Sequence, residues 1–106
     1  MNQALEPAPL RIGALEVDPD QARVAFGDRV IHLSPGELAL LATLVANGDR
    51  VMSRDELART AGLGRGRSVD VLLSNVRRAL GVPYLRNVRS RGWILRPEAL
   101  ELRPAS

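Results

Sequence analysis

Eight arginines, Arg65, Arg67, Arg77, Arg78, Arg86, Arg89, Arg91 and Arg96, fall in one stretch that holds a single acid, Asp70. A guanidinium is always charged and presents a planar fork of donors, which suits phosphate oxygens and the major-groove edge of guanine. The rest of the 106-residue chain leans the other way, with six arginines against nine acids up to residue 64 and one against two after Arg96. A formal net charge of only +3 therefore hides a strongly dipolar molecule. Its basic end attracts a polyanion at long range, and nucleic acid is the leading candidate. All fifteen basic residues are arginine, a bias that suits forked contacts and also fits a GC-rich genome.

Other chemistries find little support. The chain has no cysteine, so disulfides, thiol nucleophiles and zinc ribbons are out, and its one histidine, His32, builds no metal site alone. The pairs Asp18/Asp20 and Asp55/Glu56 fit a turn and a helix first turn, where carboxylates are locally favoured. With no activated nucleophile, metal cluster or phosphate-cradling glycine loop, the expectation is a protein that is not an enzyme and carries no cofactor. The longest apolar run, Leu38 to Ala46 with Thr43 inside it, is far below the ~20 residues of a membrane span. The start MNQALEPAP lacks a basic n-region and an apolar h-region, so a cytoplasmic, nucleoid-associated location is expected.

The elements that must carry the arginines follow from the punctuation. Leu10 to Val17, Arg23 to Phe26 and Val30 to Leu33 are β-type runs separated by Asp18-Pro19-Asp20 and Gly27-Asp28, which predicts an antiparallel meander of three or four strands. Ser34-Pro35-Gly36-Glu37 is a capping box that opens a helix to about Ala46, where Asn47-Gly48-Asp49 ends it. Leu38, Leu41 and Val45 share one face of it, and Leu40 and Leu44 widen the stripe. After the brief extended piece Val51-Met52, Ser53-Arg54-Asp55-Glu56 reads as a second capping box for a helix to about Ala61. Gly62, Gly64 and Gly66 then connect to a third helix, Ser68 to Leu80, terminated by Gly81 and Pro83. Tyr84 to Val88 and Trp93 to Leu95 form a hairpin around Arg89-Ser90-Arg91-Gly92.

The third helix has two faces. At ~100° per residue, Val69, Leu73, Val76 and Leu80 make a core stripe, and Arg67, Val71, Ser74 and Arg78 lie opposite, with Asn75 at the border. That second face has no acid, whereas a merely solvated face usually mixes signs. The hairpin puts Arg89 and Arg91 at its tip and Arg86 and Arg96 on its arms, a slim basic projection able to enter a minor groove or straddle a phosphate chain. Together they make a recognition helix with a wing.

In order, Leu33-Ser34-Pro35-Gly36-Glu37-Leu38-Ala39-Leu40-Leu41, Arg50-Val51-Met52-Ser53-Arg54-Asp55-Glu56-Leu57, Arg67-Ser68-Val69-Asp70-Val71 with Val76-Arg77-Arg78-Ala79-Leu80, and Asn87-Val88-Arg89-Ser90-Arg91-Gly92-Trp93 resemble the OmpR/PhoB-type output domain of bacterial response regulators. The resemblance implies an α+β winged helix-turn-helix: an N-terminal four-stranded antiparallel sheet, three helices and a C-terminal β-hairpin wing. It would span residues 10–96, after a flexible lead (1–9) and before a loose tail (97–106).

The resemblance also implies sequence-specific binding of double-stranded DNA for transcription regulation, as tandem head-to-tail homodimers, with the third helix in the major groove. Carried over by position, Arg67, Ser74, Asn75 and Arg78 face bases and phosphates, and Arg91 approaches the minor groove. Arg89 shares the wing tip, and Arg77, Arg86 and Arg96 position the backbone. Val71 either meets a thymine methyl or is tolerated exposure. Trp93 is read as packing, and Asp70 as serving only the helix dipole. The family's receiver domain, with its phosphorylated aspartate, is not found in these 106 residues, which fits either an excised fragment or a protein regulated without phosphorylation. Its connector is short and glycine-rich, with Ala61 where the family usually has tryptophan, which bears on the implied contact with RNA polymerase. Ser90 replaces the usual glycine of the wing turn. The competing reading is a winged-helix protein-interaction or regulatory module whose basic face takes an acidic partner, with weak or no specific DNA binding.

Overall fold

Four short strands form one antiparallel meander: β1 (Leu10–Ile12), β2 (Leu15–Asp18), β3 (Arg23–Phe26) and β4 (Arg29–Ile31), in spatial order β1-β2-β3-β4. The computed structural model describes residues 10–48, 50–64, 67–81 and 85–95. The expected lead (1–9) and tail (97–106), with Asp49, Arg65, Gly66, Pro83, Tyr84 and Arg96, lie outside the described residues. The run expected from Leu10 to Val17 is in fact two strands, because Gly13 takes φ 57 and turns the chain back on itself. Likewise β4 ends at Ile31, earlier than the run to Leu33, and His32 just beyond it is exposed. Register places Leu15 opposite Phe26 and Val17 opposite Val24, so alternate side chains build one apolar face.

That face is covered by α1 (Pro35–Ala46), which contacts β1 and β2 on one side and two further helices on the other. Its capping box is complete: Ser34 Oγ accepts from Glu37 N–H at 3.3 Å, and Glu37 Oε1 accepts from Ser34 N–H at 2.9 Å. Leu38, Leu40, Leu41, Leu44 and Val45 are all buried, as the wide stripe requires, and each contributes roughly 1.5–3 kcal/mol. Buried Thr43 donates its hydroxyl to Ala39 O at 2.8 Å, so no polar group is stranded there.

α2 (Arg54–Ala61) departs from expectation at its start. Ser53 Oγ accepts from Glu56 N–H at 3.1 Å, but the Glu56 carboxylate is held chiefly by Arg50, with the Ser53 backbone N–H only a lesser partner. Arg50 Nη2 donates to its Oε2 at 2.8 Å, and a guanidinium outcompetes a neutral backbone N–H for a carboxylate. The helix ends in a Schellman turn, with Gly62 at φ 73 and Leu63 N–H donating to Ala58 O at 2.9 Å.

α3 (Val69–Leu80) begins one residue later than expected, because Ser68 is its cap, accepting from Val71 N–H at 3.2 Å. Its expected stripe of Val69, Leu73, Val76 and Leu80 is buried, and the helix packs on α1 and α2. β5 (Leu85–Val88) and β6 (Gly92–Leu95) pair as a hairpin through a three-residue loop, Arg89 to Arg91. The brief Val51-Met52 piece docks here. Met52 and Trp93 exchange both backbone hydrogen bonds, at 2.8 and 2.9 Å. Sheet, three helices and a C-terminal hairpin make the α+β winged-helix arrangement that the resemblance implied.

Candidate nucleic-acid interface

α3 turns its unburied side away from α1, and Val71 in its first turn is 59% exposed. An aliphatic side chain held in water to that degree contributes nothing to the core, so the helix does not need valine there for its own packing. Arg78 is exposed one turn on from Ser74, which is half-buried. Arg67 is exposed but lies before the cap, not on the helical wheel, which corrects its projected position. Its guanidinium lies over the first turn of α1, so near that a Cβ on Gly36 would stand 2.8 Å from Arg67 Nη2.

Asn75 is not free. Its Nδ2 donates to Glu37 Oε2 at 3.0 Å, and its Oδ1 accepts from Arg78 Nη2 at 2.5 Å. An acid from α1 therefore reaches the border of a face that carries none of its own. Burial works to raise the Glu37 carboxyl. The hydrogen bonds from Ser34 N–H, Asn75 and the Ser34 hydroxyl outweigh it and hold the group below its ordinary value.

Asp70, expected only to favour the helix dipole, is the anchor of the hairpin. Its Oδ1 accepts from Trp93 Nε1 at 2.9 Å, and both its oxygens accept from Arg54 Nε at 2.9 Å. One side chain thus ties α3 to β6 and to α2. The indole N–H does most to hold the Asp70 carboxyl below its ordinary value, against burial, with Arg54 adding to the effect. Trp93 itself is buried, as expected for packing. Arg77 is half-buried in the cleft between α3 and the hairpin, which Asp70, Ser74, Asn87 and Trp93 also line.

Arg86, Arg89 and Arg91 are all exposed along the hairpin. Ser90 at the tip adopts φ 65, the left-handed conformation that glycine takes without strain, and Arg91 N–H donates to Val88 O at 2.9 Å to close the loop. The structure therefore gathers Val71, Ser74, Asn75, Arg77 and Arg78 on one helix and Arg86, Arg89 and Arg91 on the projection beside it. Arg67 stands at the helix entrance.

Both anchored carboxyls bind a proton less readily folded than unfolded, so the unfolded state gains protons as pH falls. Their stabilisation is complete above the ordinary values of 4.5 for Glu37 and 3.8 for Asp70 and is lost as pH drops through the lower folded values. Urea midpoints from about pH 7 down to about pH 3 are expected to fall in the acid limb, and less steeply in Asp70→Asn. Midpoints that do not change with pH would contradict it. Among the described residues no group of three or more His, Asp or Glu could hold a metal ion, and no helix is long and apolar enough to cross a membrane.

Residues 28–95 match the family described as "Transcriptional regulatory protein, C terminal". The response regulator protein PmrA of Pseudomonas aeruginosa is 32% identical over 85 residues, covering 76% of this chain and 38% of that protein. SphR of Synechococcus elongatus, an alkaline phosphatase synthesis transcriptional regulatory protein, is 34% identical, covering 89% of this chain and 40% of its own length. The chain thus spans about two fifths of these relatives. Among solved structures, the Klebsiella pneumoniae RstA DNA-binding domain in complex with RstA box superposes with a TM-score of 0.73 at 26% identity, over 86% of this chain and 99% of that one. The DNA-binding domain of Escherichia coli CpxR gives a TM-score of 0.71 at 28% identity, over 84% and 96%.

Proposed function

The chain belongs to the family of OmpR/PhoB-type C-terminal domains of transcriptional regulatory proteins, and from that membership we propose that it binds double-stranded DNA sequence-specifically to regulate transcription. α3 enters the major groove with Val71, Ser74 and Arg78 toward the bases, and the hairpin lies over the adjacent minor groove. Arg67, Arg77 and Arg86 contact phosphates on either side, and Arg89 and Arg91 carry the wing tip into or across the groove. The binding unit is residues 10–96, acting in the cytoplasm at the nucleoid, on DNA as a tandem homodimer and in contact with RNA polymerase. No catalytic step or cofactor belongs to this reading.

The observation that carries it is the coupling of an acid-free helix face to an arginine-tipped hairpin through Asp70 and Trp93. A solvated surface has no use for two basic elements locked at a fixed angle, whereas two adjacent grooves do. The RstA relative, of the same fold, was crystallised on its box.

Duplex binding followed by fluorescence anisotropy across salt concentrations tests it. Log affinity is expected to fall linearly with log salt. Arg89→Ala should weaken all duplexes about equally and lower the slope by ~1, while Arg78→Ala should erase roughly tenfold discrimination at one or two base pairs. Salt-independent binding, or the same effect from both substitutions, would sink the division of labour between wing and helix.

A further inference from the structure

Glu37 accepts hydrogen bonds on both of its terminal atoms, which a carboxylate can do and an amide cannot. Its Oε1 accepts from Ser34 N–H at 2.9 Å and its Oε2 from Asn75 Nδ2 at 3.0 Å, joining the first turn of α1 to the middle of α3. With Nδ2 committed, the Asn75 amide has one orientation left, in which Oδ1 accepts from Arg78 Nη2. Both polar atoms of Asn75 thus have a partner inside the protein, which fixes the side chain. The exposed end of this chain of bonds is the Arg78 guanidinium, which has five N–H donors and has spent one.

We propose that Glu37 is a specificity-positioning residue: acting through Asn75, it sets where Arg78 presents its remaining donors, so that Arg78 reads the base pair and Asn75 is its strut. This rests on the DNA-reading function proposed above. A long side chain fixed in advance loses less freedom on binding, and a bidentate contact to guanine tolerates little misplacement. The chain of bonds also has a polarity. Glutamine at position 37 offers one acceptor oxygen to two donors, so either Ser34 N–H or Asn75 Nδ2 faces an NH2 group. Turning the Asn75 amide to meet it would set Nδ2 against the Arg78 guanidinium. An isosteric change thus disorders the reading side chain without removing it.

The test uses the full chain and measures binding to a preferred duplex and to its single-base-pair variants, with thermal unfolding establishing that each protein is folded at the assay temperature. Glu37→Gln is expected to lower discrimination by about five- to tenfold at the base pairs that Arg78→Ala also affects, without altering the salt slope. In the Arg78→Ala background it should cause no further loss of discrimination. Ser53→Ala removes the cap hydroxyl of the neighbouring helix α2, touches neither Glu37 nor Asn75, and should keep full discrimination. Glu37→Gln with wild-type discrimination, or with an equal loss on every duplex, would overturn the positioning role while leaving DNA reading intact. A wild-type protein that does not discriminate at all would overturn the DNA reading, and this role with it.

Discussion

Gly92→Ala is expected to destabilise the domain by about 4 kcal/mol, lowering the melting temperature by roughly 15 °C or more. Gly92 sits in β6 at φ 142, where a side chain is strained, and a Cβ there would lie 1.9 Å from Met52 O and 2.9 Å from Ser53 Cα. The obstacle is backbone, not the end of a flexible side chain, and no rotamer change relieves it. It also strikes the Met52–Trp93 bridge, the contact that fastens the hairpin to the segment leading into α2. Thermal unfolding by circular dichroism measures the loss. Hydrogen exchange at the Met52 and Trp93 amides should accelerate with it. A melting temperature within about 2 °C of wild type would show that the hairpin does not press on that segment.

The second large effect is at Trp93. Trp93→Ala is expected to cost about 3–5 kcal/mol, because the indole is 2% exposed and fills the junction of α3 with the hairpin. Trp93→Phe separates packing from polarity. It keeps a buried ring but loses the donor to Asp70, at about 1 kcal/mol in unfolding experiments. In that variant the Asp70 carboxyl should also move up toward its ordinary value, since the indole N–H is what most lowers it. Observing that shift by NMR titration ties the stability loss to the Asp70 bond. Trp93→Ala within about 1 kcal/mol of wild type would mean that the hairpin is held by the Met52 bridge alone.

Local signals were legible in the sequence wherever a few neighbouring residues settle the matter. Ser34 with Glu37, Pro35 at the first helical position and the Val69/Leu73/Val76/Leu80 stripe act within one or two turns, and α1 and α3 follow them. The Gly13 turn falls inside a continuous β-type run, where one positive φ breaks a strand without any polar cluster to mark it. Glu56 shows how a distant partner can reshape the same short motif. Ser53 and Glu56 have capping-box spacing, yet Arg50, six residues upstream, is the stronger partner of the carboxylate and the Ser53 backbone the lesser one.

The site was legible in its charge but not in its wiring. Arg86, Arg89 and Arg91 lie on the hairpin and Arg78 on the outward face of α3, as periodicity and turn residues suggested. The bonds that orient them span 38 residues from Glu37 to Asn75 and 23 from Asp70 to Trp93, and no local period reports such separations. One clue was available. A buried indole needs an acceptor for its N–H, and Asp70 is the single acid among eight arginines between Arg65 and Arg96. That imbalance, first a sign of a polyanion partner, also singled out the carboxylate that locks wing to helix.

The central claim is that the α3 face and the wing together read a DNA sequence, and selection of bound duplexes from a random pool at near-physiological salt tests it most directly. The account predicts enrichment of a defined sequence, as direct repeats about one helical turn apart, and loss of that enrichment in Arg78→Ala. Recovery of a pool no different from the input, with duplexes bound at equal affinity whatever their sequence, would contradict it.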